Sequence, residues 1–298
     1  MTRRRAIALL AGILAVAAIE WFAAARAYRS KISDDDWAAL AEVVAALPAD
    51  EPVLLATPWL GPRARMELPA LASWTSAAPP DLHGVARFHV LGLGDAWHEA
   101  LDGELDGLPA PTHLGETRAG PLALHHYAQA ATGQVLEDMV DVGARLQVQD
   151  QRGRCSGRGP WRCKGGALAV EALEIDYRPR RCLAARLDDG GRVTVRLRDA
   201  RLGAELRGHL GFSDFNARLR SDAPVALAIT IDGALAGRFV FTDSQGWAGF
   251  RVATTPGVHD VEVELVTTVS GTWQGVRYQG RREHVPCFEL RALAEAGA

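Results

Sequence analysis

Lysine is almost missing from this chain of 298 residues: Lys31 and Lys164 are its only two, and arginine carries the rest of the positive charge. A Schiff-base lysine therefore has little to draw on. Neither sign of charge dominates. The formal net charge is -3, with acids and bases interspersed, so no basic field exists to hold a phosphate backbone, and nucleic acid is excluded as a partner. Several catalytic signatures are also missing. No G-x-S-x-G elbow occurs, and Ser213 in "GFSDF" lacks the second glycine. "GLGDAW" (92–97) has two glycines of a phosphate loop, but Trp97 stands in the third position, which leaves a plain strand-to-helix turn. Histidines are scattered without H-x-H or H-x3-H spacing, and His125 and His126, adjacent in a strand, point to opposite faces. No metal site and no cofactor are expected.

Cysteine is absent until Cys155, and then four follow: Cys155, Cys163, Cys182 and Cys287. An even number in one half of a chain suits an oxidising compartment. Three pairings can be drawn. Loop geometry favours Cys155 with Cys163, around the Gly- and Pro-containing "SGRGPWR", and Cys182 with Cys287. A zinc knuckle needs closer spacing than C-x7-C provides.

The N-terminus agrees with export. "MTRRR" precedes an apolar run that "EWFAAA" extends over residues 6–25, roughly the 20 residues a bilayer core requires. Arg3, Arg4 and Arg5 hold the N-terminus in the cytoplasm, so the body lies outside. The competing reading is a cleaved signal peptide, with small-residue triplets near Ala25 and Ala27. The expectation is a single-pass inner-membrane protein with a periplasmic body, or an exported one if the segment is cleaved.

Beyond this segment (1–27), the rhythm of the sequence divides. Ser33 followed by Asp34, Asp35 and Asp36 reads as a capped helix start, and Trp37, Leu40, Val44 and Leu47 recur at helical spacing. Short apolar runs at 53–57, 86–94 and 121–129 alternate with helical candidates at 63–73 and 95–101. This predicts a small α/β lobe over 33–133 with a mostly parallel sheet. From 134 to 292 short alternating strands follow one another, among them Val193, Val195, Leu197 and Val261, Val263, Leu265. Turns such as "DDGG" and "PG" separate them, which predicts an antiparallel β-sandwich of jelly-roll type; 293–298 is a tail. The fold class is α+β overall.

The stretch "PVALAITIDGALAGRFVFTDSQGWAGFRVATTPGVHDVEVEL" resembles the core of galactose-binding-domain-like jelly rolls of the carbohydrate-binding-module type, over about residues 170–292. That resemblance implies a glycan or other envelope polymer bound at rim loops, sometimes beside a structural calcium. "DDDWAALAEVVAALPADEPVLLATPWLG" more weakly resembles the small extracytoplasmic lobe of lipid-linked-sugar glycosyltransferases, but the chain lacks their many spans and no catalytic residue carries over.

"GFSDFNARLRS" (211–221) supplies the candidate binding loop. Phe215 is a flat aromatic for a sugar face, and Asp214, Asn216, Arg218 and Arg220 are polar partners for hydroxyls. Trp273, in the polar "SGTWQG", is a further exposed-aromatic candidate. The competing reading makes Phe212 and Phe215 core plugs and has Asp214 and Asn216 cap the turn. A calcium loop is excluded there, because Leu219 stands where a glycine is needed. Trp247 opens an alternating strand and reads as core. The functional expectation is a non-catalytic binding or accessory module. The alternatives are an enzyme acting on surface polysaccharide or a lipid-linked sugar, and a structural subunit for an envelope protein partner.

Overall fold

The structure is a computed structural model that describes residues 14–21, 32–71, 79–94, 105, 108–130, 133–175, 178–188, 190–213, 224–267 and 285–294. Residues 14–21 are helical. Among the described residues no helix is long and apolar enough to cross a membrane, and most of the segment 6–25 lies outside them. The helical candidate at 95–101 also falls wholly outside them.

Helix α1 (Asp34–Ala45) begins as its sequence dictates: Ser33 Oγ accepts from the Asp36 N–H at 3.1 Å and Asp36 Oδ2 accepts from the Ser33 N–H at 2.7 Å. This reciprocal cap satisfies donors that the first turn leaves open. Trp37, Leu40 and Val44 form its buried stripe. Helix α2 (Gly61–Glu67) is shorter than the 63–73 pattern suggested. Pro69 opens a separate 3-10 turn (Pro69–Leu71) instead, since it has no N–H with which to continue the helix.

The lobe sheet runs in the order β1 (Val53–Leu55), β2 (Arg87–Leu93), β4 (Leu122–Ala128), β3 (Thr112–Ala119). It corrects the expectation of a mostly parallel sheet. Only β1 and β2 are parallel, while β2–β4 and β4–β3 are antiparallel. The reason is local: β3, whose side chains are mostly exposed, escaped the apolar pattern, and a Gly120 turn folds it back on β4 as a hairpin.

The remaining strands are β5 (Val135–Asp138), β6 (Gln147–Asp150), β7 (Gly153–Arg154), β8 (Trp161–Cys163), β9 (Gly166–Ile175), β10 (Arg178–Leu187), β11 (Arg192–Leu202), β12 (Glu205–Phe212), β13 (Val225–Ile231), β14 (Ala234–Phe241), β15 (Ala248–Ala253), β16 (Gly257–Thr267) and β17 (Pro286–Leu293). They form two antiparallel sheets. One has the order β15-β12-β17-β10-β9-β8, with β5 also on β17; the other is β14-β13-β16-β11-β6-β7. From β11 to β13 each strand lies in the sheet opposite its predecessor, and this crossing builds a β-sandwich. Its core comes from the inward positions that period-two alternation supplies, including Val195, Leu227, Val263, Leu210 and Phe288. Both disulfides are present, Cys155–Cys163 and Cys182–Cys287.

Two paired strands, β12 and β17, break the alternation; seven of the eight residues of β12 are buried. All eight residues of β17 are buried, whereas a sandwich strand normally shows one face to water. The outer face of its sheet is covered by the lobe segment that carries Pro79, Pro80 and Asp81.

Candidate functional site

The predicted ligand residues Asp214, Phe215, Asn216, Arg218, Arg220 and Trp273 all lie outside the described residues. The strand ends that flank them are described. Phe212 pairs with Pro286, and Val225 pairs with Thr267. Only residues 203 and 204 separate β11 from β12, so the end of β11 and the start of β12 share one rim. β16 runs antiparallel to β11 and β17 antiparallel to β12, and all four ends therefore meet at the opposite rim. The segments 213–224 and 268–285 both start and finish there.

The described residues bring together a different set of groups at the junction of lobe and sandwich. Arg207 and His209 on β12, with Glu289 and Arg291 on β17, occupy alternate positions facing away from the sandwich core. They are buried all the same. Asp81, from the lobe segment after Pro79 and Pro80, enters this row. Its carboxylate lies 2.8 Å from Arg207 Nε, 2.8 Å from Arg291 Nη2 and 4.0 Å from His209 Nε2. Glu289 accepts from Arg291 Nε at 3.0 Å and lies 2.6 Å from His209 Nδ1. Two carboxylates thus meet two guanidiniums, as a buried set of charges requires.

Beside this row, Trp247 does not enter the sandwich core as its strand position suggested. Gly246, at φ 64°, and the turn before it set the ring on the outer face, where it stacks on His209 with centroids 5.4 Å apart. Its Nε1–H donates to the Pro80 carbonyl at 3.0 Å. Arg180 donates to the Pro79 carbonyl at 2.6 Å.

Next to the charged row a crevice of about 570 Å³ opens between lobe and sandwich, within the size range of small-ligand sites. Val44, Leu47, Leu71, Val85 and Val140 make its walls apolar, and Glu51, Asp138 and Arg181 bring charge to it. Burial, and then the neighbouring Glu289 carboxylate, push Asp138 up to about 6, against a hydrogen bond from the Val140 N–H. Arg181 is held by Asp141 at 2.5 Å.

Glu51 continues inward. Its Oε2 lies 2.9 Å from His89 Nε2; His89 Nδ1 lies 2.8 Å from His126 Nδ1; and His126 Nε2 lies 3.1 Å from Thr117 Oγ1. Two ring nitrogens at that distance share one proton, since one must accept. On the other face His125 sits 3.4 Å from His113. Four histidines of the lobe are therefore paired rather than scattered, although His125 and His126 do take opposite faces. Register carries the signal: His89 lies directly across from His126 in the β2–β4 pair. Among the described residues no group of three or more His, Cys, Asp or Glu side chains could hold a metal ion.

No protein-family model matches the chain, and no curated protein does. Solved structures that are similar include a CBM51-2 domain in complex with GlcNAc, with INT domains, from Clostridium perfringens ZmpB, at 13% identity and a TM-score of 0.30, covering 60% of this chain and 36% of that one. The CBM22-1 xylan-binding domain of Paenibacillus barcinonensis Xyn10C is similar at 15% identity and a TM-score of 0.32, over 56% of this chain and 98% of that one. TmCBM61 in complex with beta-1,4-galactotriose is similar at 10% identity and a TM-score of 0.31, over 52% and 92%. The chain spans about a third of the length of the ZmpB structure it matches. None of these likenesses assigns a ligand to this chain.

Proposed function

We propose that the protein is a cell-envelope protein, anchored in the inner membrane by residues 6–25 with its body in the periplasm, whose sandwich binds a glycan or envelope polymer without turning it over. One observation carries the reading: the two connections bearing Asp214, Phe215, Asn216, Arg218, Arg220 and Trp273 have all their flanking strand ends at one rim. Aromatic, amide, carboxylate and guanidinium groups are the set that sugar recognition uses. The test is a glycan array probed with the full chain in nanodiscs. Binding that falls at least tenfold in Phe215→Ala, Arg218→Ala and Trp273→Ala supports the reading, and an empty array removes it.

A second reading, an enzyme acting on surface polysaccharide, draws on the crevice. There Asp138, held near 6, can donate a proton while Glu51 faces the same space. Its test is release of reducing ends from envelope polysaccharide. Turnover lost in Asp138→Asn would favour the enzyme, and no turnover by the native chain would leave the binding module.

A further inference from the structure

The lobe carries a stripe of apolar side chains that neither the rim nor the crevice uses. Residues 58–67 form a continuous helical stretch, a 3-10 turn (Pro58–Leu60) running into α2. Leu60, Gly61 and Ala64 turn inward and are buried. Trp59, Pro62 and Met66 follow one another at intervals of three and four, which puts them on one opposite face. Trp59 is 65% exposed and Met66 82%, the most exposed large apolar side chain among the described residues. A tryptophan and a methionine left in water on one short helical face cost burial energy that a soluble surface has no reason to forgo.

The position of the stripe says what covers it. Arg63, on the same helical stretch, pairs with Asp34 at 2.5 Å and with Glu67 at 3.3 Å. The stripe therefore stands beside the first residue of α1, where the chain enters the lobe. The apolar run ends at residue 25, nine residues earlier. An extended chain covers at most about 3.3–3.6 Å per residue, so Asp34 lies within roughly 30 Å of the end of that run. Tryptophan favours the headgroup boundary of a bilayer, and Arg63, the base facing that side, is already neutralised by Asp34 and Glu67.

We infer that Trp59, Pro62 and Met66 insert into the headgroup–acyl boundary of the membrane that holds the N-terminal helix, so that the lobe lies on the bilayer. The inference rests on the anchored reading proposed above. Its test uses the full chain in phosphatidylethanolamine–phosphatidylglycerol nanodiscs, with a nitroxide on Met66→Cys and a reference nitroxide on Leu235→Cys. Leu235 is 67% exposed on the sandwich strand β14. Oxygen should relax the Met66→Cys label several-fold more than a water-soluble nickel chelate does, relative to the reference, and Trp59→Asp should abolish the difference. Equal accessibility of the two labels in chains that co-elute with nanodiscs overturns the inference while the anchor stands. Chains that elute free of nanodiscs overturn both.

Discussion

Asp81 of the lobe and Arg207 of the sandwich meet at 2.8 Å with side chains 1% and 7% exposed. They are 126 positions apart in sequence, and they fix how one part of the chain sits on the other. Burial alone would push the Asp81 carboxyl up. The hydrogen bond from His83 and the charges of Arg291, His209 and His83 outweigh it and hold the carboxyl far below the usual carboxylate range.

Removing Asp81 leaves Arg207 and Arg291 buried and short of an acid. Asp81→Ala is therefore expected to cost about 3–5 kcal/mol, the range found when one partner of a buried pair is deleted. Urea unfolding of the two proteins measures this. Because the native carboxyl is held down, its contribution is present above about pH 4 and is lost as pH falls below that. A loss under about 0.5 kcal/mol would mean the lobe docks by its apolar contacts alone.

Asp138 has the opposite sign. Its native pKa, about 6, lies above that of an unfolded aspartate, so the native state binds the extra proton between about pH 4 and pH 6. Stability should fall as pH rises through that window, by about 3 kcal/mol, and then level off. Asp138→Asn keeps an oxygen for the Val140 N–H and should be more stable than the native protein at pH 7, with the pH 4–6 slope reduced. Parallel slopes for both proteins would contradict this assignment.

The two carboxyls also mark what sequence reveals and what it hides. The cap at Ser33, the alternating strands and both cysteine pairings are legible, because each depends on local spacing or on loop closure. The charged row is not. Arg207 and His209, like Glu289 and Arg291, alternate with apolar residues and read as a solvated sheet face; only docking of the segment carrying Asp81 buries them. The crevice is hidden for the same reason, since Glu51 and Asp138 come from opposite sides of the junction. The direction of the lobe strands was equally closed to pattern, because a short buried apolar run looks the same in a parallel and an antiparallel sheet.

His126 should titrate below the ordinary imidazole value of about 6.5. Burial, followed by the charges of His89, His125 and His113, disfavours its protonated form, and its Nδ1 shares a single proton with His89 Nδ1. Stability is full above the unfolded pKa and is lost as pH falls through the lower native one. Histidine ring resonances followed by NMR against pH test this, with His126→Gln assigning the signal. A midpoint above 6.5 would refute the lowering by burial and neighbouring charge.

The two disulfides should differ in strength and in access. Cys182–Cys287 closes a separation of 105 residues and Cys155–Cys163 one of 8. Loop entropy assigns about 4.7 kcal/mol to a hundred-residue loop and roughly 2.5 to one of eight. Cys182 and Cys287 are also fully buried, while Cys155 is 8% exposed. Mild reductant followed by alkylation and mass spectrometry should therefore open Cys155–Cys163 first. Cys182→Ala with Cys287→Ala should cost about 2 kcal/mol more than the other double replacement. The larger bridge ties the β9–β10 hairpin to β17, the strand that holds Glu289 and Arg291 under Asp81. Its loss should accordingly speed hydrogen exchange at Leu82 and His83, in the docked lobe segment, as well as in the sandwich. Exchange confined to the sandwich would separate the disulfide from lobe docking.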